Sequence, residues 1–375
     1  MRIGIFETTH FEGAYPVIRL FDNGNNEITI FTYEESYRQF QFLLKDDVTR
    51  FTWIVKPKNE SKYSFIKRIY SEAKKQRLEL LYLNTITDNY IFYSWMITRL
   101  KPIRMIMTLH SINNYFSHKH AFNLRRMVRT IGKKRLIRVV DEFNVVALTM
   151  VEYLKSRLPA SKKVHCVPGA VYEKRLDINE RTGVEIITMV VPGIIDERRR
   201  DYGLVLQLVE KLHEAGLKIR ITLLGGMHPL FGKSVLEKLE KSNFKGELRY
   251  YTEAVVDQPE FDRVMDEADL VLLPSTINNT VLHDIEEVYG LSMSSGNLFD
   301  TIKHAKPFIA PLGLRVDPFL EGSCLRYESV EEIVEILSAL QQSPEVWDSL
   351  KSKATSASAH YTIQAVRNRN KDLFG

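Results

Sequence analysis

The stretch EEVYGLSMSSGNLFDTIKHAKPFIAP, residues 286–311, opens with two carboxylates and turns at Tyr289-Gly290. It then passes through Ser294-Ser295-Gly296 and runs as a helix-like segment into a short apolar strand that stops at Pro311. Ser-Ser-Gly at a helix start suits a phosphate. Backbone N–H groups are free at the positive end of the helix, hydroxyls lie close by, and Gly296 carries no Cβ to obstruct the approach. A carboxylate a few residues earlier is suited to accept hydrogen bonds from ribose or sugar hydroxyls. The combination reads as a candidate site for a nucleotide-diphosphate sugar.

Outward from this stretch, helices and strands alternate. On its N-terminal side the order is EIITMVVPG, YGLVLQLVEKLHEAG, KIRITLLGG, LRYYTE, FDRVMDEA and DLVLLPS; LFDTIKHA lies within it and KPFIAPL closes it. A strand-free polar segment, EKRLDINERTG, precedes them. Before that, RIGIF, EITIFTY, FTWIVK, LELLYLN, IRMIMTLH and NVVALTM read as strands, with helix-like segments such as SFIKRIYSEAKKQR and NYIFYSWMITRLK between them. The pattern predicts an α/β protein of two doubly wound domains with mostly parallel sheets, and a site in the cleft between them. The expected domains are residues 1–175 and 176–355, with 356–375 as a C-terminal helix crossing back to the first domain.

Composition agrees. A chain of 375 residues is long for one core, and 44% hydrophobic with 26% charged residues describes a folded protein. Two cysteines, Cys166 and Cys324, form neither a disulfide framework nor a metal-ligand pattern, so a reducing, cytoplasmic setting is expected. The first strand is cut short by Glu7, so no signal peptide is read there, and no apolar window has membrane-spanning length. A net charge of +5 does not argue for nucleic acid.

The chain resembles GT-B-fold glycosyltransferases of the large retaining class that uses nucleotide-activated sugars. The resemblance spans the whole length and is more specific in the second half. VVPGIIDERRRDY is similar to that class's first strand and phosphate loop. ADLVLLPS, then E-x-Y-G and SG-x-x-x-D-x-I-x-x-x-K-P, is similar to its donor-binding segment. KVHCVPGAVYE is similar to the turn that closes the first domain, without its usual Asn. The resemblance implies a sugar donor carrying UDP or GDP, a glycan or lipid-linked acceptor, and no metal or other cofactor, with basic residues and helix dipoles at the diphosphate.

Arginine forks match phosphate oxygens and keep their charge, so Arg198, Arg199 and Arg200 are candidate diphosphate partners together with Ser294, Ser295 and Gly296. The resemblance favours Arg199 or Arg200 over Arg198. Many retaining members carry Glu, seven residues, then Glu. Here the eighth position from Glu286 is Ser294 and from Glu287 is Ser295. Glu287 is taken as the first glutamate, a catalytic and ribose-binding candidate, with Pro274 and Tyr289 beside the nucleotide. The absent second glutamate leaves either a variant diphosphate cradle or a weakened ribose contact. His110 ends strand IRMIMTL, where a polar side chain points into the cleft, and the resemblance implies that it faces the transferred sugar. Gly13 and Ala14 are expected in an acceptor-side loop. His110, His118 and His120 match no standard zinc spacing.

Residues 119–138, KHAFNLRRMVRTIGKKRLIR, interleave basic and apolar side chains at helical spacing. Two readings stand: a helix lying on an anionic membrane, or a core-facing stripe under a solvated basic surface; nucleic acid is a third, but no groove-reading motif accompanies the charge. Two alternatives to a transferase also stand, namely a non-catalytic binding subunit on the same fold and a nucleotide-sugar epimerase.

Overall fold

The computed structural model describes residues 1–117, 123–173, 186–241, 248–281 and 285–374. The first domain begins β1 (Arg2–Phe6), α1 (Phe11–Phe21), β2 (Glu27–Tyr33), α2 (Glu34–Leu44), β3 (Thr52–Lys56), α3 (Lys62–Lys75) and β4 (Leu80–Leu83). It continues α4 (Tyr90–Leu100), β5 (Arg104–Thr108), α5 (Asn113–Phe116), α6 (Leu124–Val139), β6 (Glu142–Val145), α7 (Val151–Lys155) and β7 (Lys163–Cys166). Its seven strands are all parallel, in the order β3-β2-β1-β4-β5-β6-β7. Both faces of this sheet are covered. Ile3 and Ile5 pack with Ile28, Ile30 and Tyr82 on one side, while Phe6 packs with Phe31, Leu81 and Leu83 on the other. Near-continuous apolar strands are what a doubly covered parallel sheet requires.

The second domain begins β8 (Ile187–Pro192), α8 (Tyr202–Glu214), β9 (Ile219–Leu224), α9 (Lys233–Lys241), β10 (Leu248–Tyr250), α10 (Gln258–Glu267) and β11 (Leu270–Leu272). A hairpin, β12 (Asn278–Val281) and β13 (Ile285–Val288), follows, and then α11 (Gly296–Lys303), β14 (Phe308–Pro311) and β15 (Cys324–Tyr327). The main sheet is again parallel, in the order β10-β9-β8-β11-β14-β15. Four helices end the chain: α12 (Val330–Gln342), α13 (Pro344–Ala359), α14 (Ile363–Arg369) and α15 (Lys371–Phe374).

The return to the first domain comes at α14. Arg367 donates to the carbonyls of Arg19, Leu20 and Asp22, and Phe374 packs on Phe21 with ring centres 4.8 Å apart. Residue 356 lies inside α13, so the expected boundary falls within a helix. The other expected boundary, 175/176, lies outside the described residues. NVVALTM is strand only through Val145; a 3₁₀ turn takes Leu148–Met150. The antiparallel hairpin β12–β13 escaped a reading built on strand–helix alternation, because its short polar strands carry no apolar run.

Among the described residues, no helix is long and apolar enough to cross a membrane.

Candidate active site

Each sheet reverses its winding once, between β1 and β4 and between β8 and β11. Ligands bind such folds at the carboxyl ends of strands beside these switch points. A cleft of ≈ 2480 Å³ lies there between the two domains.

The wall from the second domain starts where β8 ends. Gly193 has φ +91°, and a Cβ on it would run into the guanidinium of Arg200. Arg200 is buried beneath this turn. Its Nη1 donates to the carbonyl of Ile194 (2.6 Å) and its Nη2 to Asn297 Oδ1 (2.9 Å), while Asn297 Nδ2 donates to the carbonyl of Pro192 (2.9 Å). One arginine thus ties the β8 turn to the first turn of α11 and brings a fixed positive charge to both. Its Nε is buried without a hydrogen-bond partner among the described residues. Arg199 lines the cleft with its side chain half exposed. Arg198 is turned away: it is held by Asp196 (Nη2–Oδ2 2.6 Å) and stacked 3.7 Å over the Phe231 ring. The three consecutive arginines therefore have three different environments.

Helix α11 points its start into the cleft. Ser295 occupies the N-cap position, yet its side chain makes no capping hydrogen bond. A Cβ on Gly296 would meet nothing within 4 Å, and Ser294, Ser295, Gly296 and Asn297 all line the cleft. Asp300 follows Gly296 by four residues and so sits on the same helix face about one turn deeper. Its carboxyl makes no side-chain hydrogen bond among the described residues, and burial pushes its pKa up to about 7. An anion at the helix start and hydroxyl groups one turn deeper would both be matched. Gly225 and Gly226, at the end of β9, complete this wall with Ala254, Val256 and Phe261, a slot of flat and apolar surfaces.

Across the cleft, the wall from the first domain is organised by Glu7, which is wholly buried at the end of β1. Its Oε1 accepts the N–H groups of Thr8, Thr9 and His10 at 2.6–2.8 Å, and its Oε2 accepts from Asn84 Nδ2 (2.6 Å) and Thr85 Oγ1 (2.7 Å). Thr85 and Asn84 in turn hold His110: Nε2 lies 3.0 Å from the Asn84 carbonyl and 3.2 Å from Thr85 Oγ1. A carbonyl can only accept, which assigns the proton to Nε2 and leaves Nδ1 as the acceptor of the ring. Burial and the neighbouring His10, whose ring centre is 5.3 Å away, lower the pKa of His110 to about 4. The imidazole is therefore neutral at physiological pH. Glu12 lines the same cleft, and desolvation there raises its carboxyl above its ordinary value.

The cleft brings together His110, Gly13, Arg199, Tyr289, Ser294, Ser295 and Gly296 from among the sequence candidates; Arg200 also borders it. Others lie elsewhere. Ala14 belongs to the first turns of α1 and is buried in the first-domain core, so it is no acceptor loop residue. Pro274 is buried and does not line the cleft; its carbonyl accepts the N–H of Asp201 at the start of α8. Glu287 is wholly buried and accepts the backbone N–H groups of Asn113 and Asn114, so its carboxylate is committed to protein and not to ribose. His118 and His120 lie outside the described residues. Glu7, His10, Glu12, Asn297 and Asp300 were not singled out as site residues. A carboxylate directly after an apolar first strand and one four residues into a Gly-started helix were the signals that could have found Glu7 and Asp300.

No protein-family model matches the chain, and no curated protein matches its sequence. Solved structures do match its fold. HepE from Anabaena, solved with UDP and glucose, has a TM-score of 0.67 at 11% identity, covering 100% of this chain and 99% of HepE. The lipopolysaccharide outer core galactosyltransferase WaaB has a TM-score of 0.59 at 12% identity, over 99% of this chain and 98% of WaaB. The UDP-GlcNAc 2-epimerase of Neisseria meningitidis, bound to UDP-GlcNAc, has a TM-score of 0.56 at 11% identity, over 100% and 99%. With two doubly wound parallel-sheet domains facing across a cleft, this chain has the GT-B fold.

Proposed function

We propose that this protein is a glycosyltransferase that moves a sugar from a UDP- or GDP-sugar to a glycan or lipid-linked acceptor, without a metal ion and with retention. The observation that carries the reading is the start of α11. It is uncapped and open at Gly296, with the Arg200 guanidinium behind it and the Asp300 carboxyl one turn deeper. The diphosphate takes the helix start and the two arginines, ribose hydroxyls reach Asp300, and the base enters the slot at Gly226 and Phe261. Negative charge that grows on the departing diphosphate meets fixed cations and backbone N–H groups, which need no reorganisation during reaction. Neutral His110 then orients a sugar hydroxyl from the facing wall.

One observation also supports an epimerase. Glu12, His10 and His110 share the first-domain wall, a set of groups able to move a proton at a sugar carbon. A single assay separates the readings. The protein is first screened for thermal stabilisation by UDP, GDP, ADP and CDP; a ligand at 100 times its dissociation constant stabilises by about 2.7 kcal/mol. It is then incubated with the matching nucleotide sugars. Released or transferred sugar with free nucleotide supports the transferase. An epimerised nucleotide sugar supports the epimerase, and no stabilisation by any nucleotide removes both.

The lipid-linked acceptor rests on α6. Leu124, Met127, Val128 and Ile131, spaced along one face, are 70%, 53%, 44% and 50% exposed, and the side chains facing the protein are Lys133 and Leu136. Exposed Arg125, Arg126, Lys134, Arg135 and Arg138 flank the stripe. An apolar stripe edged by cations fits an anionic bilayer surface. The protein is expected to co-sediment with anionic vesicles and not with neutral ones. Each cation near the surface contributes about 1 kcal/mol, so changing Arg125, Arg126, Lys134 and Arg135 to Glu should release it without altering nucleotide affinity. Sedimentation that survives this change, or fails for the wild type at low salt, removes the membrane from the reading.

A further inference from the structure

The two walls of the cleft are joined at one point by a dense set of contacts. Ser111 and Met293 pair as an isolated antiparallel bridge, and Ile112 N–H donates to the Ser292 carbonyl at 2.8 Å. Asn113 Nδ2 donates to the Glu286 carbonyl (2.8 Å) and to Ser292 Oγ (3.3 Å). The Glu287 carboxylate reaches from β13 to accept the N–H groups of Asn114 (2.8 Å) and Asn113 (3.3 Å) at the start of α5. On its far side α5 is held by Lys133, whose Nζ donates to the carbonyl and Oδ1 of Asn114 at 2.7 and 2.6 Å, and by Tyr153 Oη, which donates to Asn113 Oδ1 at 2.7 Å.

The place of this knot in the chain gives it meaning. His110 is the residue before Ser111, and Ser294 is the residue after Met293. The first-domain imidazole and the loop that opens α11 are therefore each one peptide unit from the same bridge. In a two-domain cleft such distances are otherwise set by domain closure. Here a short piece of backbone pairing joins the two walls beside both groups, and the buried Glu287 carboxylate hydrogen-bonds across it.

We infer that Glu287 is a positioning residue: by binding the start of α5 it fixes His110 relative to the Ser294–Gly296 loop. The inference rests on the transferase reading for its substrate. Glu287 is not among the residues that line the cleft. Burial lifts its carboxyl to about 6, opposed by its hydrogen bonds and by Lys133. Such a desolvated anion is costly to keep.

The test uses Glu287→Gln, of equal volume, and Asn113→Ala, which cuts the knot from the other side. Turnover of the nucleotide sugar, nucleotide affinity, and amide exchange at residues 111–114 are measured on the full chain. In both variants kcat should fall by at least about tenfold, since small misplacements of reacting groups are expensive. The nucleotide dissociation constant should stay within about threefold, and exchange at 111–114 should speed up. Nucleotide affinity that falls in step with kcat would put the carboxylate on the ligand and overturn the inference, as would unchanged kcat and exchange. If the wild type turns over no nucleotide sugar, the transferase reading fails by itself. The exchange rates then decide alone whether Glu287 holds the two walls together: acceleration supports it, and no change overturns it.

Discussion

Arg200→Met is expected to lower kcat/KM for the nucleotide sugar by about 10²- to 10³-fold, the cost of removing one preorganised stabiliser of developing negative charge. The effect should fall on Arg200 and not on its neighbours by equal amounts. Arg200 is buried behind the β8 turn and bridges Ile194 to Asn297, so its charge is fixed beside the helix start. Arg198 is neutralised by Asp196 and stacked on Phe231, and Arg198→Met should change kcat/KM by less than about twofold. Arg200→Met also leaves the buried Asn297 Oδ1 without its donor, at about 1–3 kcal/mol, so turnover is read well below the measured Tm of the variant. Equal kcat/KM in the wild type and a folded Arg200→Met would remove this arginine from the diphosphate.

Asp300→Asn is expected to weaken binding of the stabilising nucleotide by about 1.5–3 kcal/mol, the range for hydrogen bonds to a charged group, or roughly 10- to 150-fold. A deoxyribose analogue should bind wild type and variant alike. Unchanged affinity for the ribonucleotide would make Asp300 a bystander. The same substitution has a signature in stability. Burial raises the folded-state pKa of Asp300 to about 7, against about 3.9 for an unperturbed Asp. The folded state therefore holds a proton that the unfolded chain releases. The contribution of this group is fully present below about pH 4 and is lost as pH rises through about 7. The difference between wild-type and Asp300→Asn stability should change across that window and flatten above it, and the variant should be the more stable of the two at pH 8 in the absence of nucleotide. His110 runs the other way. Its pKa, lowered to about 4, gives stability present above about pH 6.5 and lost as pH falls toward 4, so the two titrations separate in direction.

The architecture was legible in the sequence because its signals are local. Apolar runs such as RIGIF and ITMVVP, each followed by an amphipathic helix, admit little other than doubly covered parallel sheets. Ser-Ser-Gly before α11 and arginines after β8 were visible for the same reason: a helix start and a strand end are determined by a few consecutive residues. The fate of each carboxylate was not. Glu287 has the residue type and spacing of a ligand-binding group. Yet the β12–β13 hairpin carries it across to α5, and whether a carboxylate meets a backbone N–H or a ribose hydroxyl depends on a contact between residues more than 170 positions apart. Asp300, near the start of a helix, has the position of an ordinary partner for the helix dipole. Desolvation in the cleft leaves its carboxyl without a side-chain hydrogen bond among the described residues and raises its pKa instead. Likewise, three consecutive arginines are equivalent in sequence, and only the packing of Phe231, Asp196 and Asn297 around them gives each a separate environment. The apolar stripe of α6 was open to two readings. Its outward direction was decided by Gly132, which lets α6 approach α4 closely, and by Lys133 and Leu136, which take the inward face. Periodicity along one chain identifies which elements form. Which side chains are left without a protein partner, and so remain for a ligand, is decided by how distant elements meet.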